Sequence, residues 1–333
     1  MRLKKVLPLL VTILIFVFFF YHYLDFKQLL NTFIKLSLSG IFGSATFYFL
    51  SIIFRTQRFR VLSEKPLSFI MMFNVVCLYS FYNKVLPLRT GELSYVFLMK
   101  RYNKSSYTEN FSALVITRFY DVISAFLILL IAILFVQKDV INPIIVSGFS
   151  LLFLFLMLFL PRVINSLNKL LCYICQCLGI KNEKVMLFRD RILFFADCLT
   201  KANTLKTILN LITLSILIWL CIYGTFFILI NQLGVNLSYG AVVVGSIFAN
   251  FSNLLPVSGV GGFGTMEVGW AIGFTLIGLD KKMAVASGIV VNTFVFLCTV
   301  GMALFALLNR RFRRSSNKED LINETNSPDS MSE

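Results

Sequence analysis

Apolar residues gather in stretches far longer than a soluble amphipathic helix uses. Such stretches cover about 6–24, 36–54, 111–136, 143–160, 207–230 and 284–308. A helix needs about 20 apolar residues to cross a hydrocarbon core, so each is predicted to be a full span. Two more apolar regions, about 67–102 and 238–279, are interrupted in the middle by Pro, Gly and charge. Broken backbone at membrane depth is tolerated only where protein buries it or it lines a cavity. Each region is therefore predicted to be a pair of half-helices that enters and leaves on one side. The expected fold is an all-α polytopic membrane protein with about six full transmembrane helices and two re-entrant or broken helix pairs.

Composition excludes the competing classes. Of 333 residues, 58% are hydrophobic and 14% charged. A soluble domain carries about 25% charge, so this chain cannot cover a globular surface with polar groups. That excludes a soluble enzyme, a disordered chain and a disulfide-stapled secreted scaffold. The net charge of +15 would suggest nucleic acid in a soluble protein. Here the basic residues follow the loops. Arg2, Lys4 and Lys5 precede the first span; Arg55, Arg58, Arg60 and Lys65 follow the second; Lys100, Arg101 and Lys104 follow the first broken pair. More lie at 161–206 and from Arg310 to Lys318. With the N-terminus inside, all of these fall on one side, and only Lys27, Lys35, Lys138, Lys281 and Lys282 fall on the other. This is the positive-inside pattern. It predicts a multi-pass protein of the cell (plasma) membrane with both termini cytoplasmic and no nucleic-acid partner.

Several smaller features fit that frame. The first span could pass for a signal peptide, but Tyr21, His22, Tyr23 and Leu24 offer no small-residue cleavage site, so an uncleaved anchor is expected. The 162–204 stretch mixes apolar and basic residues at helical spacing. It is expected to lie along the inner interface, with a plain cytoplasmic helical hairpin as the alternative. The tail at 311–333 is basic, then polar, and should be disordered. Cys77, Cys198, Cys221 and Cys298 sit in or beside apolar segments, while Cys172, Cys175 and Cys177 cluster in the 162–204 stretch. Reduced structural thiols are expected, with metal binding or acylation as the alternative. The GVGGFG run at 259–264 matches a dinucleotide fingerprint but sits in an apolar segment, and no phosphate-binding G-x-x-x-x-G-K-[ST] run occurs. Neither a metal nor another cofactor is expected.

The two broken segments resemble each other. Residues 81–92 read FYNKVLPLRTGE and residues 251–267 read FSNLLPVSGVGGFGTME. Repeat one is placed at about 36–136 and repeat two at about 207–308, within one transmembrane domain at 1–310. An odd number of crossings separates the repeats, so they should be inverted, as in many transporters. Pro87 and Pro256 lack the N–H of a continuing helix and end each first half. Gly91, Gly259, Gly261, Gly262 and Gly264 then allow the turns. The next half-helix begins with free N–H groups that suit an anion, and Arg89 adds a full charge in the first break. Glu92 and Glu267 follow the breaks; Arg118 and Asp121 lie three apart on one face and can pair. Ionisable groups inside a membrane are costly and are functional candidates by default. Loop stabilisation and a structural pair are the alternatives. With Asn83 and Asn253, these residues form the candidate substrate-binding set. Arg55 and Arg58 are candidate contacts for inner-leaflet phosphates, or ordinary positive anchors.

The N-x-x-L-P-x-R-x-G-E run at 83–92, the Arg118/Asp121 pair and the N-x-x-P-x-S-G-x-G-G-x-G-x-x-E run at 253–267 resemble the lysylphosphatidylglycerol synthase transmembrane (flippase-like) family. The resemblance covers about 5–310. One residue fewer separates Asn253 from Pro256 than Asn83 from Pro87. In bifunctional members a soluble domain transfers lysine from tRNA to the lipid. The sequence stops too soon after Leu308 to hold such a domain, so translocation is implied and enzymatic activity is not. The expected function is to move a phospholipid or lipid-linked headgroup between leaflets. Its phosphate would lie near Arg89 and the half-helix starts, with Arg118 assisting. Glu92 and Glu267 would hold a cationic headgroup or carry protons. A lipid-modifying synthase or glycosyltransferase of the same pathway is the expected protein partner. Two alternatives remain open: a membrane enzyme or accessory protein for polyprenyl-linked glycan assembly, and an ion or small-solute secondary transporter.

Overall fold

The computed structural model describes residues 36–133, 204–252 and 264–309, with a few isolated positions between 148 and 166. Eight α-helices lie in the three continuous segments: α1 Leu38–Leu62, α2 Phe69–Val85, α3 Leu93–Asn103, α4 Tyr107–Ile133, α5 Leu205–Gln232, α6 Tyr239–Ser252, α7 Thr265–Leu276 and α8 Lys281–Leu308. A 3-10 turn, Pro87–Glu92, joins α2 to α3. No strand occurs among the described residues. Four helices, α1, α4, α5 and α8, are long and apolar enough to cross a membrane. They match four of the expected spans. Of the other two, 6–24 lies outside the described residues, and so does 143–160 apart from isolated positions; the cysteine cluster at 172–177 and the tail from 310 also lie outside them, as does nearly all of the 162–204 stretch. Leu38, Phe42, Ile131, Leu209, Leu297 and Leu304 are exposed on the four long helices. Such a rim is stable only against lipid or another apolar surface.

The long helices α1 and α5 are antiparallel along their whole length. At one end the Ser37 N–H donates to Gln232 Oε1 at 2.9 Å. Midway, the Thr225 hydroxyl reaches the Ser44 carbonyl at 3.3 Å. Further on, Arg58 meets Ser215 at 2.8 Å, and Leu62 packs near Leu211 and Ile208. One repeat therefore starts where the other's first helix ends, as inverted repeats require.

Each broken segment is a helical hairpin. The Asn103 amide donates to the Lys65 carbonyl at 2.9 Å, which brings the end of α3 back to the start of α2. In the second hairpin, Gly273 of α7 lies against the backbone of Gly245 of α6, and Ile277 reaches the same glycine. The first hairpin opens at the end of α1 and the second at the end of α5. Because α1 and α5 are antiparallel, the hairpins enter from opposite sides. Their packing partners are exchanged as a two-fold would demand: α2 packs on α8, and α6 packs on α4.

Equivalent residues do equivalent work in the core. Phe59 and Phe226 each stand 21 residues after their helix start (38 to 59, 205 to 226). Phe59 stacks on Tyr95 of the first hairpin with ring centroids 4.1 Å apart. Phe226 meets Trp270 of the second edge-on at 5.1 Å. Such aromatic pairs add about 0.5–1.5 kcal/mol beyond area burial and fix the angle of each hairpin against its long helix.

One departure from expectation concerns α1. The second span was expected to end near 54, but the helix runs to Leu62. Arg55 and Arg58 are therefore helical, and Arg58 turns into the protein interior. Charge marks a loop only where no partner awaits it.

The hairpin topology predicts a labelling pattern. In a cysteine-free background, Lys65→Cys and Lys104→Cys should react with an impermeant thiol reagent from one side of sealed vesicles, and Lys281→Cys from the other. Labelling of Lys65→Cys and Lys104→Cys from opposite faces would exclude a re-entrant first hairpin.

Candidate functional site

The hairpin tips meet the long helices at a polar network. Arg58 of α1 donates to Asp121 of α4 through both amino nitrogens, at 2.5 Å and 3.2 Å. A two-pronged guanidinium–carboxylate pair fixes geometry as well as charge. The same Arg58 Nη1 donates to Ser215 Oγ of α5. Arg58 is only 2% exposed. The pair thus ties three long helices together. One turn before Asp121, Arg118 donates to Glu92 Oε1 at 2.9 Å and to the Tyr79 hydroxyl at 3.1 Å. It also stands 3.6 Å from Asp121. Glu92, Arg118, Asp121 and Arg58 form one alternating chain of charge from the tip of the first hairpin into the bundle.

A second chain joins the two hairpins. Lys84, near the end of α2, donates to Asn292 Oδ1 of α8 at 2.9 Å. The Asn292 amide donates to Glu267 Oε1 at 2.7 Å. The other carboxylate oxygen of Glu267 accepts the Gly264 N–H at 2.7 Å, closing the first turn of α7. Gly264 has φ of +92°, a conformation open to glycine and strained for other residues. Glu267 therefore caps its own helix and anchors Asn292 with the same carboxylate.

The repeat explains the placement of Asn292. Arg118 and Asn292 each stand 11 residues after their helix start (107 to 118, 281 to 292). That is about 17 Å along the helix at 1.5 Å per residue, close to mid-depth of a span of this length. Each holds the glutamate at the start of its own repeat's second half-helix, Glu92 or Glu267. One repeat uses an ion pair at this position and the other uses a neutral amide.

Between the two chains lies a cavity of about 200 Å³. Arg55, Arg58, Tyr79, Ser80, Asn83, Lys84, Glu92, Thr117, Arg118, Asp121, Trp219 and Asn250 supply its polar lining, with Ile218, Ile222, Phe226, Met266 and Val295 among the apolar part. Every described helix except α3 contributes. Trp219 Nε1 and Asn83 Oδ1 are buried polar atoms without a hydrogen-bond partner.

Of the expected site residues, Asn83, Glu92, Arg118, Asp121, Arg55 and Arg58 line this one cavity. Glu267 joins it through Asn292 and Lys84. Arg118 and Asp121 do lie close, but each has a nearer partner: Glu92 for Arg118 and Arg58 for Asp121. Of the two residues expected as inner-leaflet phosphate contacts or ordinary positive anchors, Arg58 is 2% exposed and paired with Asp121, while Arg55 lies against Ser80 on the cavity wall. Gly91 packs where a Cβ would lie 2.2 Å from the Tyr82 carbonyl oxygen, which fits its role in the first break. The backbone of Pro87 and Arg89 lies in the 3-10 turn, while their side chains lie outside the described residues. Asn253, Pro256, Gly259, Gly261 and Gly262 also lie outside them.

Sequence reasoning missed Lys84, Asn292, Tyr79, Ser215 and Trp219. A signal existed for Asn292: its register in the second repeat matches that of Arg118 in the first. For Lys84 the signal was its place inside an apolar half-helix, three residues before Pro87.

The residues that carry this network also carry the family motifs. The family model described as "Lysylphosphatidylglycerol synthase TM region" matches residues 5–314. The chain belongs to this family. No curated protein and no solved structure matches it. Membership in the lysylphosphatidylglycerol synthase TM family makes it a membrane protein of lipid-related processes. The matched range spans both hairpins and all eight described helices.

Proposed function

We propose that this protein translocates the polar headgroup of a phospholipid or lipid-linked substrate between leaflets, with the two inverted hairpins as the moving parts. The observation that carries this reading is the polar cavity at the meeting point of the hairpin tips, about halfway along the long helices. A headgroup in bare hydrocarbon faces a desolvation cost of several kcal/mol for each charge. A hydrated, hydrogen-bonding cavity at mid-depth lowers that barrier where it is highest. Two further features support the reading. The rim of the four long helices is apolar, so acyl chains can stay in lipid while the headgroup enters. Among the described residues, side chains link the first hairpin to the second through α8, Lys84 to Asn292 to Glu267, and such hydrogen bonds can break and re-form as the hairpins rock. In this reading the side carrying Arg60, Lys65, Lys100 and Arg101 faces the cytoplasm. The protein acts as a transporter and not as a lysyltransferase.

The test is a translocation assay in proteoliposomes, reading how fast a headgroup-labelled lipid becomes accessible to an impermeant quencher. Ser80 is buried on the cavity wall, so Ser80→Phe should plug it and slow translocation about tenfold, equal to about 1.4 kcal/mol of barrier. Wild-type rates no higher than those of protein-free vesicles would remove the proposal. So would an unchanged rate in the folded Ser80→Phe variant.

A further inference from the structure

Among the described residues that line the cavity, cations outnumber carboxylates. Arg55, Arg58, Lys84 and Arg118 face it, against the carboxylates of Glu92 and Asp121. Both carboxylates are engaged: Asp121 by Arg58 and Glu92 by Arg118. Glu267 stands one residue further back, with one oxygen on the Gly264 N–H and the other on the Asn292 amide. Among the described residues, the other two cations make their hydrogen bonds to neutral partners. Arg55 has the Ser80 hydroxyl at 3.5 Å, and Lys84 has the Asn292 carbonyl at 2.9 Å.

These two cations flank one surface. Ser80 and Lys84 are four apart on α2 and share a face, with about 5–6 Å between their Cβ atoms. The Arg55 guanidinium at Ser80 and the Lys84 side chain therefore reach the cavity from the same face of α2. A phosphate presents several anionic oxygens, enough to accept from both donors. The unpartnered atoms at the same cavity extend the pattern. Trp219 Nε1 can only donate, which suits an anionic oxygen. Asn83 Oδ1 can only accept, which suits a hydroxyl.

We propose that the cavity holds a hydroxyl-bearing phosphate ester, its anionic oxygens between Arg55 and Lys84 and a hydroxyl on Asn83, and that it discriminates against headgroups bearing an added cation. For a lipid ligand this rests on the headgroup reading above. It also narrows that reading, because the described lining offers no unengaged carboxylate to an aminoacyl ammonium group. The same chemistry is found in a lipid headgroup and in a free phosphate ester, and the two sources need separate arms.

The test uses the full chain in phosphatidylcholine nanodiscs, with Trp219 fluorescence as the readout and Trp219→Phe as its control. One arm adds phosphatidylglycerol, one adds lysyl-phosphatidylglycerol at equal mole fraction, and one titrates soluble glycerol phosphate into pure phosphatidylcholine discs. Phosphatidylglycerol should bind about tenfold more tightly than its lysyl ester. Arg55→Gln and Lys84→Met should each weaken it about tenfold, the worth of one charge-assisted hydrogen bond. Arg55→Lys, which keeps the charge, should retain most of the affinity and so separates charge loss from misfolding. Saturable binding of glycerol phosphate that Arg55→Gln weakens supports the site with a free ester as ligand; its absence beside phosphatidylglycerol binding assigns the site to a lipid. Equal or tighter binding of the lysyl ester overturns the inference, as does unchanged phosphatidylglycerol affinity in folded Arg55→Gln and Lys84→Met. Translocation assays keep the two ideas apart. Selective binding without transport counts against the transport reading alone, and transport without the selectivity counts against this inference alone.

Discussion

Asp121→Asn should be among the most damaging single substitutions in the protein, costing about 3–5 kcal/mol. The reason lies in its partner. Arg58 is 2% exposed and places both amino nitrogens on the Asp121 carboxylate. Removing the charge of Asp121 leaves a buried guanidinium facing neutral acceptors, the amide carbonyl at 121 and the Ser215 hydroxyl. It also removes the anion that separates Arg58 from Arg118, which stands 3.6 Å from the same carboxylate. The measurement is the thermal midpoint and folded yield of the detergent-purified protein. A double variant, Arg58→Met with Asp121→Leu, removes both charges and should recover most of the loss, since a packed apolar pair has no desolvation cost to offset. If the double variant is as unstable as Asp121→Asn, the shape of these side chains matters and their charge does not.

A second large effect is expected at two glycines on which the hairpin halves pack together. A Cβ on Gly91 would lie 2.2 Å from the Tyr82 carbonyl oxygen and 2.4 Å from the Asn83 Cα. On Gly273 it would lie 1.9 Å from the Gly245 carbonyl oxygen. These obstacles are backbone and no rotamer change can clear them. Gly91→Ala and Gly273→Ala should each force the halves of a hairpin apart, at the upper end of the roughly 1–3 kcal/mol typical of overpacking. Gly91→Ala should do further harm because it moves Glu92, the next residue, away from Arg118. Melting curves read the first effect, and headgroup translocation reads the second. Gly301, where an added Cβ meets nothing within 4 Å, supplies the comparison: Gly301→Ala should leave the melting midpoint nearly unchanged.

Much of this architecture can be read before any coordinates. Four long spans follow from uninterrupted apolar length, and their observed ends differ by a few residues, except at α1. Both hairpins follow from Pro and Gly placed inside apolar segments. The inversion of the repeats follows from parity, and the antiparallel contact of α1 with α5 agrees with it. Even the site is partly legible, because Glu92, Arg118, Asp121 and Glu267 stand out as charges in apolar surroundings. Their pairings are not legible. Arg118 and Asp121, three apart on one face, look like each other's partners, yet the closest carboxylate to Arg118 comes from a hairpin tip and the cation on Asp121 comes from α1. Lys84 finds Asn292 across 208 residues of sequence because α2 packs on the final helix of the other repeat.

The division has a physical cause. Hydropathy responds to depth: a run of apolar residues states where a segment lies along the membrane normal, and a Pro or Gly within it states where that segment must turn. The chain alone therefore determined the four described spans, the two interrupted apolar segments, the family and the list of charges within apolar surroundings. It says little about which way each helix is rotated or which helices are neighbours, because in lipid the outward and inward faces are both apolar. Rotation and neighbourhood are set by close packing, as between Gly245 and Gly273, and by buried polar groups seeking partners, as Arg58 does. Only the assembled bundle could decide that two cations, Arg55 and Lys84, remain facing a cavity after every described carboxylate on its wall has been taken.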